Sequence, residues 1–286
     1  MSAIEPGTLY VCATPIGNLS DITLRVLEVL QGVDLIAAED TRYSRKLLAR
    51  YEIKTPVTSC HEHNERARTP ELVDRLRRGQ TVALVSDAGM PGISDPGSIL
   101  MEACREQGIA VDVLPGPNAA VTALVLSGLS KCTYFYGGFL PVGKKRKRAL
   151  GDLAGLSCTL VFYEAPHRLV RTLRDLLGVL GDRDAAVCRE LTKVHQQVHR
   201  GTLQELIEEF EGQAPRGECC LVVAGTVAKT ESEIEVRKDD EMRRIWAELT
   251  ENGMEAKEAV KETAQRLGVP KRCVYQAVRV KGARDT

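Results

Sequence analysis

The chain of 286 residues lacks an excess of charge of either sign, because Lys and Arg together number 39 and so do Asp and Glu. This balance excludes a chain that is strongly basic throughout, so a nucleic-acid partner would have to be recognised by local clusters of charge. With 43% hydrophobic and 27% charged residues, the composition is typical of a folded, soluble globular protein.

Long hydrophobic runs and paired cysteines are also missing. The apolar runs end after about eight residues, well short of the roughly 20 that a membrane span needs, and no basic signal-peptide region opens the sequence. The nine cysteines are an odd number without a CxxC pair, so neither a disulfide framework nor a zinc ribbon is predicted. We therefore expect a cytoplasmic protein with no membrane segment and no resident metal.

Two phosphate-binding fingerprints are absent. The loop after the first predicted strand, "ATPIGNLSD", contains one glycine where a dinucleotide fold has GxGxxG. The segment "GFLPVGKK" has the spacing of a P-loop, but Pro141 lies within it and no Ser or Thr follows the lysine pair. NAD and nucleoside triphosphates are therefore disfavoured as ligands.

Short apolar runs alternate with amphipathic segments in the first part of the chain. The pattern predicts strands at 9–13, 33–38, 82–85 and 110–114 and helices at 22–30, 42–50, 70–78 and 99–107. Such alternation is typical of βαβ units and a largely parallel sheet.

The pattern resumes after residues 115–118 and changes from residue 185, where strands follow one another with little helix between the first two. A helix at 119–126 and strands at 133–137, 158–163, 185–191, 196–202 and 219–225 predict a mixed, partly antiparallel second sheet. The expected class is α/β, with two α/β domains and a cleft between them, plus a small C-terminal helical module. The boundaries are 1–116 and 117–226 for the α/β domains, 227–240 for a linker, and 241–286 for a helix-turn-helix-like module.

The C-terminal module has an uneven distribution of charge. Residues 231–262 carry six basic and eleven acidic side chains, whereas residues 263–286 carry six basic and one acidic. The second half is therefore a candidate surface for a nucleic-acid backbone.

The segment "VALVSDAGMPGISDPG" places a loop rich in Gly, Pro and Asp directly after a buried strand. Open α/β sheets bind ligands at the carboxyl ends of their strands. Glycines allow close approach of the backbone to a ligand, whereas Asp87 and Asp95 would repel a phosphate. The loop therefore predicts a site for a cationic or zwitterionic ligand.

Charged motifs follow other predicted strands. "AEDTR", "YEAPHR" and "RELTK" each end an apolar run, and "HEHNE" adds a histidine pair for which the sequence identifies no third metal ligand. Converging charged strand ends are typical of a cleft between two domains. The run Lys144, Lys145, Arg146, Lys147 and Arg148 is either a solvated loop or a binding surface for RNA phosphates.

These motifs occur together in a known order. "TPIGNLSD", "AEDTR", "HEHNE", "SDAGMPGISDPG", "LPGPNA", "YEAPHR", "ELTK" and "RGTLQEL" resemble the tetrapyrrole methylase superfamily over about residues 8–225. Within it, the chain is most similar to the bacterial branch that methylates the 2′-hydroxyl of a cytidine in the decoding region of small-subunit (16S) ribosomal RNA. The helical tail resembles the C-terminal module of that branch.

The resemblance implies S-adenosylmethionine bound in the cleft of a homodimeric enzyme, largely by main chain. Carried onto this sequence, it implies twelve cofactor-binding residues, which are Pro15, Ser86, Asp87, Ala88, Gly89, Pro91, Ile93, Asp95, Pro115, Ala165, Glu190 and Leu191.

The implied reaction transfers a methyl group to a ribose hydroxyl, which must lose its proton. The candidates for a general base, left unranked, are Asp40, His63, Glu65, Glu164, His167 and Lys193. RNA, as free small-subunit rRNA or in the 30S subunit, is expected to contact the basic run together with Lys271 and Arg272. No membrane or DNA partner is expected.

The chain departs from the family pattern at Met90, Gly92, Gln196, Gln197 and Ala224. Two other functions stay open at this point. The same scaffold could methylate a tetrapyrrole or a diphthine precursor, although neither substrate needs the basic run or the tail. A ligand-sensing, DNA-binding regulator is the other alternative, but the tail shows no clear recognition-helix pattern.

Overall fold

The structure is a computed structural model that describes residues 4–129, 132–212, 217–226 and 231–279. The chain divides into two compact units, Met1–Thr226 and Val227–Thr286. Two five-stranded sheets lie in the first unit, and the second unit is helical. The predicted α/β class with a C-terminal helical module is therefore confirmed. The boundary predicted at residue 116 stays a prediction, because both sheets belong to one unit.

The first sheet is parallel throughout its described pairings, in the order β3-β2-β4-β1-β5. Side chains of one strand alternate between the two faces, so Tyr10 and Cys12 pack in one hydrophobic cluster while Leu9 and Val11 pack in another. Burial on both faces explains the continuous apolar runs in the sequence. The strands are β1 (Leu9–Cys12), β2 (Leu35–Ala38), β3 (Val57–Ser59), β4 (Val82–Val85) and β5 (Val111–Leu114).

Four helices connect these strands, and the first turns of two of them carry side-chain caps. The Thr23 hydroxyl accepts a hydrogen bond from the Val26 amide, and the Asp40 carboxylate accepts one from the Arg42 amide. Such caps satisfy amides that have no partner within the helix. The helices are α1 (Leu24–Gly32), α2 (Thr41–Arg50), α3 (Glu65–Arg77) and α4 (Ser98–Glu106).

The second sheet has the order β6-β7-β10-β8-β9, and only its β6–β7 pairing is parallel among the residues described. The prediction of a mixed sheet is therefore confirmed. Its elements are α5 (Ala119–Ser127), β6 (Tyr134–Phe139), α6 (Lys144–Leu153), β7 (Thr159–Glu164), α7 (Leu169–Leu180), β8 (Asp184–Arg189), β9 (Gln197–Thr202), α8 (Leu203–Gly212) and β10 (Cys219–Val223).

Three elements differ from the sequence predictions. The strand β3 has only three residues, too few to show a periodic pattern. The helix α3 begins at Glu65 and tolerates Pro70 in its interior, whereas Pro70 was predicted at its start. The basic run forms the first turns of α6 instead of a loop.

The second unit contains α9 (Glu231–Glu251), α10 (Ala256–Leu267) and α11 (Lys271–Arg279). Residues 231–240, predicted as part of a linker, belong to α9, because Glu, Lys and Arg are good helix formers. The core contains Met242, Val260, Ala264, Val274 and Ala277. Gly268 ends α10 in the left-handed conformation, which glycine commonly adopts after the last turn of a helix. Within the described ranges, no helix is long and apolar enough to cross a bilayer.

Candidate active site

A cleft of about 350 Å³ lies where the carboxyl ends of the first sheet meet the second sheet within the first unit. We call it the main cleft. One wall follows β1, β4 and β5, and the other follows the ends of β6, β7 and β8 and the start of β10. Its lining residues are Ile16, Ala88, Gly89, Met90, Ile93, Ser94, Asp95, Asn118 and Ala119 on the first wall, and Phe139, Tyr163, Glu164, Ala165, Pro166, Leu191, Glu218, Cys219 and Cys220 on the second.

A smaller pocket of about 260 Å³ lies beside the main cleft, and we call it the side pocket. Both are bordered by the loop after β1 and the loop after β4, because neighbouring residues of these loops face the two spaces. The side pocket is lined by Thr14, Pro15, Gly17, Leu19, Tyr43, Ser44, Lys46, Leu47, Ser86 and Asp87.

The loop after β4 is held by backbone pairing. The Thr14 amide donates to the Gly89 carbonyl at 2.8 Å, and the Gly89 amide donates to the Thr14 carbonyl at 3.0 Å. The Thr14 hydroxyl also donates to the Ser86 carbonyl at 3.0 Å. Gly89 has a φ of +85°, which a residue with a side chain adopts only with strain. The loop is therefore a fixed surface that brings its backbone close to the main cleft.

Glu65 holds the far end of the same loop. One of its carboxylate oxygens accepts hydrogen bonds from the amides of Gly97, Ile99 and Leu100 at 3.0, 2.9 and 3.1 Å. These amides surround the start of α4, where a negative charge is favourable. Glu65 is buried, and this oxygen has three donors. These bonds argue against the predicted role of Glu65 as a general base, because its carboxylate anchors the loop.

Three carboxylates gather at the ends of β2 and β4. The Asp40 amide donates to Asp87 at 3.0 Å, and the Asp87 amide donates to Glu39 at 3.1 Å. Burial raises the pKa of Glu39 and of Asp87. Burial, with the nearby charges of Glu39 and Asp87, raises the pKa of Asp95 to about 7. A cation in the main cleft would relieve this repulsion.

The second wall of the cleft is mainly aromatic and apolar. The Tyr163 ring packs edge-on against Tyr136 and Phe139, with ring centroids 5.4 and 5.5 Å apart. Burial raises the pKa of the Cys219 thiol to about 11, and it also raises the pKa of Cys220. Both thiols are therefore neutral at physiological pH. Such a wall suits the face of a flat, weakly polar group.

The two walls are joined directly. The Ser94 and Tyr136 hydroxyls share a hydrogen bond of 2.6 Å, and Ser94 has a φ of +63°. Glu190 and Thr192, in the loop after β8, also have positive φ values of +50° and +63°. Strained residues of this kind persist where the surrounding structure over-determines them, often at ligand sites.

Comparison with known proteins identifies the family of this chain. The sequence pattern of the tetrapyrrole (corrin/porphyrin) methylases matches residues 8–207. The chain belongs to this family. It is 45% identical, over 95% of its length and 94% of the relative's, to a ribosomal RNA small subunit methyltransferase I of Halalkalibacterium halodurans. It is 47% identical, over 94% of its length and 96% of the relative's, to the protein of that name from a Synechocystis species.

A third relative and a solved structure define the extent of the likeness. The protein of the same name from Thermotoga maritima is 48% identical and matches over 99% of its own length but 77% of this chain. A cobalt precorrin-4 methyltransferase of cobalamin biosynthesis superposes with a TM-score of 0.59 at 21% identity, covering 76% of this chain and 95% of that one. The structural likeness shows the fold alone. Together the relatives show that the chain is a methyltransferase.

The twelve residues predicted to bind the cofactor fall into three groups in the structure of the methylase. Ala88, Gly89, Ile93, Asp95, Ala165 and Leu191 line the main cleft. Pro15, Ser86 and Asp87 line the side pocket. Pro91, Pro115 and Glu190 line neither space.

Sequence reasoning missed several residues that line the main cleft. Asn118, Phe139, Tyr163, Glu218, Cys219 and Cys220 were not among the predicted site residues. Tyr163 and Cys219 had a detectable signal, because each stands at the edge of a predicted strand in the second sheet. Phe139 had none, since its strand was predicted to end at residue 137.

Glu164 is the centre of a buried charge network. Its carboxylate accepts hydrogen bonds from the Thr172 hydroxyl at 2.5 Å and the Ala165 amide at 2.9 Å, and it pairs with Arg168 at 3.0 Å. These partners occupy both oxygens of the carboxylate. The network argues against Glu164 as a general base and assigns it to the support of the cleft wall.

The Lys193 side chain donates hydrogen bonds to two carboxylates. Its ammonium pairs with Glu190 at 3.1 Å and Glu218 at 3.4 Å. Burial alone would lower the pKa of Lys193, but the hydrogen bond to Glu190 and the two negative charges raise it overall. A protonated lysine does not accept a proton, which argues against its predicted role as a base.

The remaining base candidates lie at the surface. Asp40 caps α2, and hydrogen bonds from Arg42 lower its pKa to about 2, which makes it a weak base. His63 and His167 are exposed and line neither space. The rings of His61 and His63 are 6.1 Å apart. Among the residues that the structure describes, no group of three or more His, Cys, Asp or Glu side chains is placed to hold a metal ion.

The basic run is divided by its helix. Arg146 is 1% exposed, and its guanidinium donates to the Thr172 hydroxyl at 2.6 Å and to the Pro141 carbonyl at 2.9 Å. It also pairs with Asp175 at 3.2 Å. This burial argues against the predicted contact of Arg146 with RNA, because its charge is paired inside the protein. The exposed members are Lys144, Lys145, Lys147 and Arg148, and Lys271 and Arg272 in the second unit are also exposed.

The positions that depart from the family pattern have defined surroundings. Gly92 has a φ of +81°, and a Cβ atom there would lie 2.5 Å from the Met101 methyl carbon, so glycine suits this backbone. Met90 lines the main cleft. The side-chain oxygens of Gln196 and Gln197 accept hydrogen bonds from the Thr192 amide and from Arg189, at 2.7 and 2.9 Å. Ala224 bonds through its backbone, where its amide donates to the Asp184 carbonyl.

Proposed function

We propose that the methylase transfers a methyl group from S-adenosylmethionine to the 2′-hydroxyl of a cytidine in the decoding region of small-subunit ribosomal RNA. The proposed substrate rests on the near full-length similarity, at 45% and 47% identity, to relatives named as small-subunit ribosomal RNA methyltransferases. The cleft supports the choice of methyl donor. The cytoplasm is the compartment that contains such a substrate.

The residues of the main cleft fit S-adenosylmethionine. Its positive sulfonium and amino groups match the carboxylate of Asp95, which lines the main cleft and lacks a cationic ion-pair partner in the described part of the chain. Its adenosine matches the wall of Tyr163 and Leu191. The Gly89 backbone leaves space that a side chain would fill. When bound, this donor supplies an electrophilic methyl group.

The contribution of the chain itself is mainly to position the reactants. The backbone pairing of Thr14 with Gly89 and the anchoring by Glu65 hold the cleft rigid, and fixed geometry supplies a large part of the barrier reduction in such transfers. Glu65, Glu164 and Lys193 are engaged in structural bonds and do not take the proton. Of the remaining candidates, Asp40 is a weak base because its pKa is lowered to about 2, whereas His63 and His167 are exposed.

Contacts with RNA are proposed for the exposed cations of α6 and α11. Lys144, Lys145, Lys147 and Arg148 form one exposed group, and Lys271 and Arg272 form another. Tyr275, on the same helix as the latter pair, is 43% exposed. Cations bind phosphates and an aromatic ring stacks on unpaired bases, so the combination suits single-stranded RNA. Membrane and DNA partners are not part of the proposal.

We include a homodimer in the proposal because apolar side chains are exposed on two consecutive elements. Val111 and Val113 alternate along the edge strand β5, and Val121 and Val125 lie one turn apart on α5. An apolar sheet edge is a liability unless it is covered. Light scattering that showed a monomer at micromolar concentration would remove this part of the proposal.

The deciding experiment offers three substrates to the purified protein with radiolabelled S-adenosylmethionine. These are small ribosomal subunits, naked small-subunit rRNA and a free tetrapyrrole. We expect label in RNA, at a ribose that lacks its methyl group in cells without the protein. Label in the tetrapyrrole alone would contradict the proposal that RNA is the substrate. Absence of S-adenosylmethionine binding in calorimetry would contradict the proposed methyl donor.

A further inference from the structure

The side pocket contains a buried hydroxyl group without a partner. Ser44 is 4% exposed and lines the pocket. Its oxygen has no hydrogen-bond partner within the described part of the chain. A serine inside a helix commonly bonds back to a carbonyl one turn earlier, but the Asp40 carbonyl accepts only the Ser44 amide, at 3.0 Å. Buried polar groups are nearly always paired, so the hydroxyl of Ser44, in the wall of the pocket, needs a partner that the described residues do not supply.

The rim of the side pocket suits an unpaired nucleotide. Tyr43 is 49% exposed, and the Lys46 ammonium lies 5.9 Å from the centre of its ring. Both residues line the pocket together with Ser44. An exposed aromatic ring beside a lysine is the combination that stacks a base and neutralises its phosphate.

The helix that carries these residues adds to the positive charge. The segment Thr41–Arg50 contains Arg42, Arg45, Lys46 and Arg50 and no acidic residue. The acidic residue that caps it, Asp40, is paired with Arg42 at 2.9 Å. The exposed basic side chains of this helix therefore form a positive surface next to the pocket.

The interior of the side pocket has the opposite character. The Asp87 carboxylate and the apolar side chains of Pro15 and Leu47 line it. A carboxylate repels a phosphate but accepts hydrogen bonds from ribose hydroxyls or base amino groups. The lining therefore suits a nucleotide whose phosphate lies near Lys46 and whose sugar or base lies near Asp87.

Resting on the function proposed above, we infer that the side pocket binds one unstacked nucleotide of the RNA substrate, with Tyr43 stacking on its base, Ser44 bonding to it and Lys46 contacting its phosphate. The pocket shares its border with the main cleft, because Ile16 faces the cleft while Pro15 and Gly17 face the pocket. An RNA strand held there lies directly beside the site proposed for the methyl donor.

Equilibrium binding of a small-subunit rRNA fragment tests the stacking interaction. Tyr43→Ala should weaken binding by roughly 5- to 150-fold, the loss expected for one base–aromatic stack, whereas Tyr43→Phe, the matched control, should bind within about twofold of the parent chain. Affinity for S-adenosylmethionine, measured by calorimetry without RNA, should be the same in both variants. Unchanged RNA affinity in Tyr43→Ala, or an equal loss of donor affinity, would overturn the inference.

Salt dependence tests the interaction with the phosphate. Lys46→Gln should reduce the slope of log affinity against log salt by about 0.7, the value for one phosphate of a single strand. Lys54→Gln is the matched control, because Lys54 is exposed and lines neither space, and its slope should equal that of the parent chain. Equal slopes in the parent and in Lys46→Gln would contradict the inference.

These outcomes separate the inference from the function on which it rests. If the parent chain methylates small subunits while Tyr43→Ala and Ser44→Ala bind RNA normally, the function stands and the nucleotide site is wrong. If the parent chain transfers no methyl group to RNA but binds it through Tyr43 and Lys46, the proposed reaction is wrong and the nucleotide site stands.

Discussion

Charged motifs follow the strands of both sheets, but a buried carboxylate of the second sheet is paired within the protein, whereas three carboxylates of the first lie close together. In the second sheet, Glu164 pairs with Arg168 and shares Thr172 with Arg146, so its charge is compensated inside the protein. In the first sheet, Glu39, Asp87 and Asp95 face one another, and burial raises the pKa of each. Paired charges build the wall of the cleft, whereas uncompensated charges remain available for a ligand.

Breaking the pairing in the second sheet should have the largest effect. Arg146→Ala leaves Asp175 and Thr172 without their buried partner, so we expect the free energy of unfolding to fall by about 3–5 kcal/mol. Urea denaturation measures this change. Lys147→Ala, the exposed neighbour, should change stability by less than about 0.5 kcal/mol. Equal small effects would show that Arg146 is not structurally paired.

Removing the Glu65 carboxylate should have the next largest effect. Glu65→Ala leaves three amides at the start of α4 without an acceptor, which we expect to cost about 2–3 kcal/mol. The loop after β4 should also exchange its amide hydrogens faster. Glu62→Ala, at an exposed position in the same motif, is the control. Normal loop protection in Glu65→Ala would contradict the anchoring role.

Neutralising an uncompensated charge in the first sheet should stabilise the ligand-free protein, in contrast to the two changes above. The pKa of Asp95 is about 7 in the folded chain, against an ordinary value of 3.8, so the folded state holds a proton that the unfolded state has released between these values. Stability of the ligand-free protein should therefore fall as pH rises from about 4 to about 7. Asp95→Asn should remove this fall.

The measurement is the melting temperature of the ligand-free protein at pH 5 and pH 8. Asp95→Asn should raise it more at pH 8 than at pH 5, and should weaken binding of S-adenosylmethionine at pH 8. Asp152→Asn, on the exposed side of α6, provides a control without these effects. A lower melting temperature in Asp95→Asn at pH 8 would show that its charge is compensated after all.

The smallest effect on folding should come from charges that neither sheet pairs internally. Replacing Lys144, Lys145, Lys147 and Arg148 by Gln together should leave unfolding by urea nearly unchanged, because all four are exposed. RNA affinity should fall, and its salt dependence should become shallower by about 0.7 for each phosphate that the chain no longer neutralises. An unchanged salt slope would remove α6 from the proposed RNA surface.

Much of the fold followed from periodicity. The continuous apolar strands and amphipathic helices of the first sheet matched their predicted positions within two residues at most ends. The failures have physical reasons. The strand Val57–Ser59 is too short to show a period, Pro70 is tolerated within α3, and residues 231–240 are polar enough to resemble a linker while forming a helix.

The sequence by itself determined the family, the loop after β4 and the concentration of charge at the ends of strands, because each depends on residue types in local order. Only the tertiary structure decided which charged side chains are paired inside the protein. Arg146 and Lys147 are neighbours of the same charge, yet one is buried against Thr172 and the other is exposed. Burial and pairing depend on residues distant in the chain, and no local pattern specifies them.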